Sequence, residues 1–186
     1  MTEPDDVELV RRMQRGDPAA AAAFVRRHEA RLQRLARLWS DTPEDARDAV
    51  QEALLRGLEG IAAFRFRSRP LTWIVGTLRN VCAEQRRRQR RRPPRHDPDD
   101  DAASADDAAE AGVDAEGAAH RVRRWLDALP PRQRDAVVLR VLEELPVRDA
   151  AAIMGCREGT VKALLHQGLA RLRTIAAEED VPCPID

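Results

Sequence analysis

Residues 93–117 constrain the fold more than any other stretch, because they contain almost no large apolar side chains. The segment, PPRHDPDDDAASADDAAEAGVDAEG, consists mainly of Pro, Asp, Ala and Gly. Such a composition cannot bury enough surface to offset the entropy lost by an ordered chain. We therefore expect a disordered acidic linker between two small domains, residues 1–92 and residues 118–178, with a short tail at residues 179–186.

The formal net charge of zero conceals an uneven distribution of charge along the chain. Residues 1–92 carry 20 Arg against 13 acidic residues, a net charge of +7. Residues 93–119 carry a net charge of −8, and residues 120–186 carry +1. The sequence therefore predicts a basic domain, an acidic tether and a near-neutral second domain, which are three different physical objects.

The ends of the chain and its cysteines indicate where the protein acts. The N-terminus, MTEPDDVELV, is acidic and lacks the apolar run of a signal peptide. No stretch of the sequence approaches the length of a membrane span. The cysteines are three and far apart, at Cys82, Cys156 and Cys183, which favours a reducing compartment over a disulfide framework. We expect a cytoplasmic protein with no membrane insertion.

The periodicity of apolar residues is helical throughout, and no segment alternates with the period of two that strands require. Asp17-Pro18 and Thr42-Pro43 are signals for the start of a helix, with a capping side chain before a proline at the first helical position. We therefore predict an all-α fold. We expect four helices in the first domain: one near residues 5–15, one from Pro18 to about Trp39, one that follows Thr42-Pro43 and includes Asp48 to Leu58, and one that begins near Pro70 and ends in the arginine run.

The stretch from Asp48 to Arg92 organises the first domain. It predicts two helices joined by a basic loop, Phe64 to Pro70, and ending in an arginine run. Guanidinium groups bind phosphates and aromatic faces stack on bases, so the mixture favours a nucleic-acid strand. The alternative is a solvated helix with a basic tail. The predicted apolar stripe of the first helix is Val50, Leu54, Leu55 and Leu58.

The sequence of the second domain predicts a helix-turn-helix. Pro146 begins a short helix, Gly155 lies in the turn, and a longer helix begins near Glu158. Ordinary packing of two helices is the alternative. Apolar residues of the last helix are Val161, Leu164, Leu165, Leu169, Leu172 and Ile175, and its exposed side holds Lys162, Ala163, His166, Gln167 and Arg173.

The usual sequence signatures of enzymes do not occur. There is no Gly-rich phosphate loop, no Cys/His pair at zinc spacing and no nucleophile elbow. The four histidines are scattered, and the linker acids lack the glycine and the bidentate glutamate of a calcium loop. We expect no catalytic residue, no metal site and no cofactor, so the chain is not expected to be an enzyme.

Three motifs in order match one family. The first two are Ala46-Arg-Asp48-Ala-Val-Gln51-Glu52 and the stretch from Phe64 through Leu71-Thr-Trp73-Ile74 to Arg79-Asn80. The third is Asp149-Ala-Ala-Ala-Ile153-Met-Gly155 followed by Gly159-Thr160-Val161-Lys162. On these motifs the chain resembles a bacterial RNA polymerase sigma factor of the extracytoplasmic-function group of the sigma-70 family. The resemblance covers nearly the whole chain outside the linker.

The resemblance implies a transcription-initiation factor that directs core RNA polymerase to promoters, with two domains of the sigma-2 and sigma-4 types. The first would dock on the β′ clamp, melt the −10 element and capture a flipped base, and the second would bind the −35 element near the β flap. The implied polymerase contacts are Asp48, Gln51, Glu52 and Arg56. The implied DNA contacts are Phe64, Arg65, Phe66, Arg67, Arg69, Trp73, Arg79, Asn80, Arg86, Arg87, Thr160, Lys162, His166 and Arg173.

The last helix departs from the family pattern at two places. Ser-Arg usually follows Thr-Val-Lys, but Ala163-Leu164 stands here. An arginine-rich stretch usually follows the histidine, but Gln167-Gly168 stands here. Both changes remove groups that contact phosphates or bases. We therefore expect the stretch from Asp48 to Arg92 to carry more of the promoter specificity than its counterpart in the family usually does.

Two other functions stay open from the residues alone. One is a stand-alone helix-turn-helix regulator, and the other is a helical adaptor that binds no DNA. The helix with Asp48, Gln51 and Glu52 discriminates against a plain regulator, which does not need it. Without polymerase we expect weak, salt-sensitive DNA binding. The resemblance also implies an anti-sigma factor as a regulatory partner.

Overall fold

The computed structural model describes residues 5–91 and 113–179, with side chains from Asp5 to Arg91 and from His120 to Glu179. In this part of the chain every regular element is helical. The chain divides into two compact units, residues 1–93 and 94–186. The all-α fold with two helical domains is thus confirmed. The predicted linker lies largely outside the described residues, but its last part already belongs to a helix that begins at Val113.

The first unit consists of four α-helices and one short 3-10 turn. The cap signals are used as the sequence predicts, because Asp17 accepts from the backbone N–H groups of Ala19 and Ala20, and Thr42 accepts from that of Asp45. The elements are α1 (Asp6–Gln14), α2 (Pro18–Trp39), α3 (Pro43–Gly60), the 3-10 turn (Ile61–Ala63) and α4 (Pro70–Arg91).

Asp17 also binds the preceding helix. The Nε atom of Arg12 donates to Oδ2 of Asp17 at 2.8 Å. This hydrogen bond, together with the backbone N–H of Ala20, lowers the pKa of Asp17 below its ordinary value. The cap therefore fixes the corner between α1 and α2 as well as the start of α2.

Helix α3 packs on its neighbours through a face of small residues, which corrects the predicted stripe. The prediction was right for Val50 and wrong for Leu55 and Leu58, which are 57% and 39% exposed. A Cβ added at Gly57 would lie 2.7 Å from Cδ1 of Ile74, so the glycine permits close contact of α3 with α4. The buried face of α3 consists of Ala46, Ala49, Val50, Ala53 and Gly57.

The described part of the second unit, residues 113–179, contains four α-helices and a π-helical turn. Gly155, at φ 60°, ends the helix before the turn in the left-handed conformation that glycine adopts without strain. The last helix begins at Glu158 as predicted. The elements are α5 (Val113–Asp127), α6 (Pro131–Val137), the π turn (Val138–Leu142), α7 (Val147–Met154) and α8 (Glu158–Glu178).

Two polar clamps close the second unit around its aliphatic core. The buried Arg134 donates through Nε to the carbonyl of Leu126 at 2.8 Å and lies 2.8 Å from Oδ1 of Asp127. At the other end, Glu179 accepts from Arg124 and from the indole N–H of Trp125, at 2.8 and 3.0 Å. Both clamps tie α5 to later parts of the unit.

Helix α8 is buried less than its apolar residues predict. Only Val161 and Leu172 of the predicted stripe are fully buried. Gly168 is buried as well, because a Cβ there would lie 2.9 Å from Cγ2 of Val137 on α6. Gly168 therefore has a packing role, and a long side chain at this position would point into α6 rather than toward a bound duplex.

Candidate nucleic-acid interface

The segment between the 3-10 turn and α4, residues 64–69, is here named the Phe-Arg loop. Its two aromatic rings have different environments. Phe64 is 8% exposed, with its ring centroid 4.9 Å from that of Trp73. Phe66 is 37% exposed and meets Phe64 edge to face at 5.0 Å. The ring of Phe64 thus packs against Phe66 and is the less exposed of the two, and its role in base capture stays a prediction.

Phe66 has a strained backbone. Its φ angle is +55°, in the left-handed region that L-residues with bulky side chains rarely adopt. Such a conformation costs on the order of 1–3 kcal/mol and persists only where surrounding contacts enforce it. Residues strained in this way concentrate at ligand sites, so Phe66 is the residue of this loop with the strongest mark of function.

Three arginines surround Phe66 along the loop. Arg65, Arg67 and Arg69 are all exposed, and within the described residues none of their guanidinium groups forms a hydrogen bond or an ion pair. Their positive charge is therefore not neutralised inside the unit. A partly exposed aromatic ring within a cluster of unpaired guanidinium groups suits an unpaired base with its phosphates.

The predicted DNA contacts on α4 differ in how far their side chains are exposed to solvent. Asn80 and Arg87 are exposed, whereas Trp73 and Arg79 are half-buried. The side chain of Arg86 is only 19% exposed, and its Nη2 atom lies 2.7 Å from Oδ1 of Asp41. The structure therefore gives Arg86 a bracing role between α4 and the start of α3, which differs from the expected free contact. The exposed arginines at the end of α4 are Arg87, Arg88, Arg90 and Arg91.

The predicted polymerase contacts lie on the outer face of α3, defined by Asp48, Gln51, Glu52 and Leu55. Asp48, Gln51 and Leu55 are exposed, and Glu52 is half-buried. The exposure of Leu55 on this face was not expected, because its apolar side chain was assigned to the core. Its spacing of seven from Asp48 was the available signal, since residues at i, i+3, i+4 and i+7 share one helical face.

Arg56 lies at the edge of this face and is held in place. Its Nε donates to Oε1 of Glu52 at 2.7 Å, and its Nη1 donates to Oε2 of Glu84 on α4 at 3.1 Å. These two hydrogen bonds raise the pKa of Arg56 above its ordinary value. Arg56 therefore bridges α3 and α4 and positions Glu52 on the outer face of α3.

The outer face of α8 is defined by Gly159, Ala163, His166 and Ala170, which recur at helical spacing and are all exposed. Only His166 among them can hydrogen-bond a base edge. The other predicted contacts, Thr160, Lys162 and Arg173, are exposed and flank this face. Gln167, also exposed, accepts from Nε2 of Gln133 at 3.3 Å. The centre of the outer face of α8 therefore consists mainly of small side chains and carries almost no charge.

Two family models match the chain over the two units described above. Sigma-70 region 2 matches residues 24–92, and sigma-70 region 4 matches residues 119–172. The chain is also 36% identical over 170 residues to the ECF RNA polymerase sigma factor SigM of Mycobacterium tuberculosis H37Rv, covering 91% of this chain and 84% of that protein. The chain belongs to the sigma-70 family, within its extracytoplasmic-function group. It is therefore a transcription-initiation sigma factor, as the resemblance implied.

Other relatives of this sigma factor agree. It is 33% identical over 176 residues to the RNA polymerase sigma-E factor of Streptomyces avermitilis, covering 91% of this chain and 92% of the relative. Its fold is similar to that of CnrH bound to the cytosolic domain of CnrY, with a TM-score of 0.73, 20% identity and coverage of 93% and 97%. The fold is also similar to that of RpoE from Bartonella quintana bound to the anti-sigma factor NepR, with a TM-score of 0.65 and 22% identity. This match covers 84% of this chain and 96% of RpoE.

The described residues contain neither a candidate membrane span nor a candidate metal site. Within residues 5–91 and 113–179, no helix has the combination of length and hydropathy that a membrane span requires. In the same part of the sigma factor, no group of three or more His, Cys, Asp or Glu side chains is arranged to hold a metal ion.

Proposed function

We propose that the first unit both binds core polymerase and opens the promoter, and that the second unit adds a weaker contact at the −35 element. The observation that carries this proposal is the strained, exposed Phe66 among three unpaired arginines, in the unit that also presents the outer face of α3. One unit thus offers a surface for a protein and a surface for unpaired DNA.

The outer face of α3 has the composition expected for docking on the β′ clamp. Leu55 supplies exposed apolar area at one end of the face, and Asp48, Gln51 and Glu52 supply polar groups along the rest of it. A buried apolar centre with a polar rim is the usual anatomy of a protein interface. Arg56 contributes by positioning Glu52 through the 2.7 Å hydrogen bond.

The Phe-Arg loop would capture one unstacked base of the non-template strand at the −10 element. Phe66 stacks on the base, while Arg65, Arg67 and Arg69 bind the neighbouring phosphates. On α4, Trp73, Arg79 and Asn80 face the duplex as it opens. Arg87 and the arginines after it bind the upstream backbone, and Arg86 holds the helix through Asp41.

Helix α8 would enter the major groove at the −35 element, close to the β flap of the polymerase. Thr160, Lys162 and Arg173 lie at the sides of its outer face, where they reach phosphates, and His166 reaches a base edge. Phosphate contacts position a protein without specifying sequence. The second unit therefore contributes more to affinity than to discrimination between promoters.

The proposal also covers the compartment of the protein, its lack of catalytic activity and its regulatory partner. The protein acts in the cytoplasm, where polymerase and promoter are, and it catalyses no reaction of its own. An anti-sigma protein covers its docking surfaces until a signal releases it. The last statement is supported by the complex of RpoE with NepR, to which the fold is similar.

The experiment that tests the proposal is run-off transcription with core polymerase from the same organism on a genomic DNA library. The protein should select a small set of promoters and bind them specifically only when core enzyme is present. Equal sequence-specific affinity with and without core enzyme would refute the proposal and favour a stand-alone regulator.

A variant tests the loop directly. Replacing Arg65 and Arg67 by Ala should abolish permanganate reactivity of thymines in the selected promoter while core binding persists. Replacing the exposed Arg26 and Arg47 by Ala removes the same charge from α2 and α3 and should leave opening unchanged. Intact opening by the loop variant would favour an adaptor that does not act on DNA.

A further inference from the structure

Helix α1 lies outside the segment matched by region 2, which begins at residue 24, yet it contacts the Phe-Arg loop. The side-chain amide of Gln14 donates to the carbonyl of Ile61 at 3.0 Å and to the carbonyl of Phe64 at 2.9 Å. These two carbonyls stand at the two ends of the turn that leads into the loop. Both donors of one amide are therefore used to fix the start of the loop.

A second residue of α1 lies against Phe66 itself. The guanidinium carbon of Arg11 is 5.7 Å from the centroid of the Phe66 ring. Atoms in contact are about 3.5 Å apart, so a base inserted between guanidinium and ring needs roughly 7 Å. The exposed Arg11 side chain would have to move by only about 1 Å to admit a base, and it would then contact the opposite face of that base.

We propose that α1 is part of the base-capture site: Gln14 is a positioning residue for the Phe-Arg loop, and Arg11 forms the second wall against an unstacked base on Phe66. This inference rests on the proposed function of the loop and extends it to a helix outside the family match. It also accounts for the strain at Phe66, since the contacts of Gln14, Arg11 and Phe64 hold the left-handed conformation.

The two residues have different expected effects. Arg11 supplies a cation–π contact at an exposed site, so Arg11→Gln should lower formation of the open complex about 3-fold. Gln14→Met removes two hydrogen bonds at nearly the same side-chain volume and should lower it about 10-fold. Arg11→Lys keeps the charge without the planar group and should fall between Arg11→Gln and the wild type.

The test uses the full chain with core polymerase on a promoter selected in the run-off experiment. Open complexes are quantified by permanganate reactivity for the wild type, Arg11→Gln, Gln14→Met and Arg15→Gln. Arg15 lies on the same helix, is exposed and pairs with Glu8 at 3.3 Å, so it controls for loss of one positive charge from α1. Thermal unfolding and core binding of each variant identify a change that is merely structural.

The decisive comparison repeats the measurement with an abasic site at each non-template position of the −10 element in turn. At the captured position, loss of the base should abolish the difference between the wild type and Arg11→Gln, and elsewhere the difference should persist. The inference is overturned if Arg11→Gln matches Arg15→Gln, if its defect persists at every abasic position, or if Gln14→Met weakens core binding as much as opening. Failure of the wild type to open any promoter would instead overturn the proposed function of the loop.

Discussion

The Phe-Arg loop of the first unit and the outer face of α8 in the second are both candidate DNA surfaces, but they are built from different residues. The loop combines an exposed aromatic ring in a strained conformation with the unpaired arginines 65, 67 and 69. The outer face of α8 is centred on Gly159, Ala163 and Ala170, with charges only at its sides. The first surface can discriminate an unpaired base, whereas the second is suited chiefly to phosphates.

In each unit a buried glycine allows two helices to pack closely together. Gly57 allows α3 to approach α4, and Gly168 allows α8 to approach α6, with added Cβ atoms lying 2.7 and 2.9 Å from their neighbours. The missing arginine at Gly168 is therefore explained by packing inside the second unit. Ala163, by contrast, lies on the exposed face, where we expect the loss of a polar side chain to weaken DNA binding.

Substitution of Gly168 has the largest expected effect, and it distinguishes a packing role at Gly168 from a DNA-binding role at Ala163. Gly168→Arg should destabilise the second unit by about 3 kcal/mol, because a long charged side chain is forced against Val137. Thermal unfolding of the full chain measures the loss. Ala163→Arg is the matched variant, with the same new side chain on the exposed face, and should leave the unfolding temperature unchanged. Stronger DNA binding by folded Gly168→Arg would contradict the packing explanation.

Ala163→Arg also sharpens the comparison between the two surfaces. One added phosphate contact should strengthen binding to any duplex and steepen its salt dependence by about one unit of the logarithmic slope. A salt titration with non-promoter DNA measures both. If binding improves only on the promoter, α8 discriminates bases to a greater degree than its small central residues allow.

Phe66→Ala should reduce promoter opening by about 2 kcal/mol, or roughly 30-fold, because one base loses its stacking partner. Permanganate reactivity and run-off yield measure the loss, with core binding as the control. A template with a pre-melted −10 region should recover only the part of the defect that belongs to duplex opening. Normal promoter opening by Phe66→Ala would show that the Phe-Arg loop does not capture a base by stacking on Phe66.

Leu55→Ala extends the comparison to the polymerase. Its side chain is 57% exposed at the C-terminal end of the outer face of α3, so truncation should raise the Kd for core enzyme about 10-fold. A fluorescence titration of labelled protein with core enzyme measures the change. Leu142→Ala makes the same truncation in the second unit, where the side chain is 38% exposed, and should have a smaller effect. An equal effect would place the main polymerase contact elsewhere.

The smallest effect is expected at His166. Because it is the one base-reading side chain at the centre of the outer face of α8, His166→Ala should change promoter affinity of the holoenzyme by only about 2-fold to 3-fold. Thr174→Ala, on the exposed side about two turns beyond His166, serves as the control. A loss above about 10-fold would show that α8 discriminates promoters strongly.

The sequence predicted those parts of the fold that depend on local chemistry. Asp17-Pro18 and Thr42-Pro43 mark helix starts because a cap and a proline act within one turn, and Gly155 marks a turn for a similar reason. The stripe of α3 was wrong at Leu55 because a buried face of Ala and Gly has almost no hydropathy of its own. Only the neighbouring helix shows which face is covered.

The candidate site was predictable in composition but not in detail. The arginine and aromatic content of the loop was evident from the sequence. The burial of Phe64, the left-handed Phe66 and the engagement of Arg86 by Asp41 depend on residues far away in the chain, which periodicity does not detect. Gln14, 50 residues before Phe64, gave no signal in the sequence at all.

The most direct test of the central claim is a substitution scan of every base pair in one selected promoter, with holoenzyme transcription as the readout. If the first unit carries most of the discrimination, single changes at the −10 element should reduce initiation by about 10-fold to 100-fold, while changes at the −35 element should cost less than about 3-fold. Equal or greater losses at the −35 element would contradict the claim.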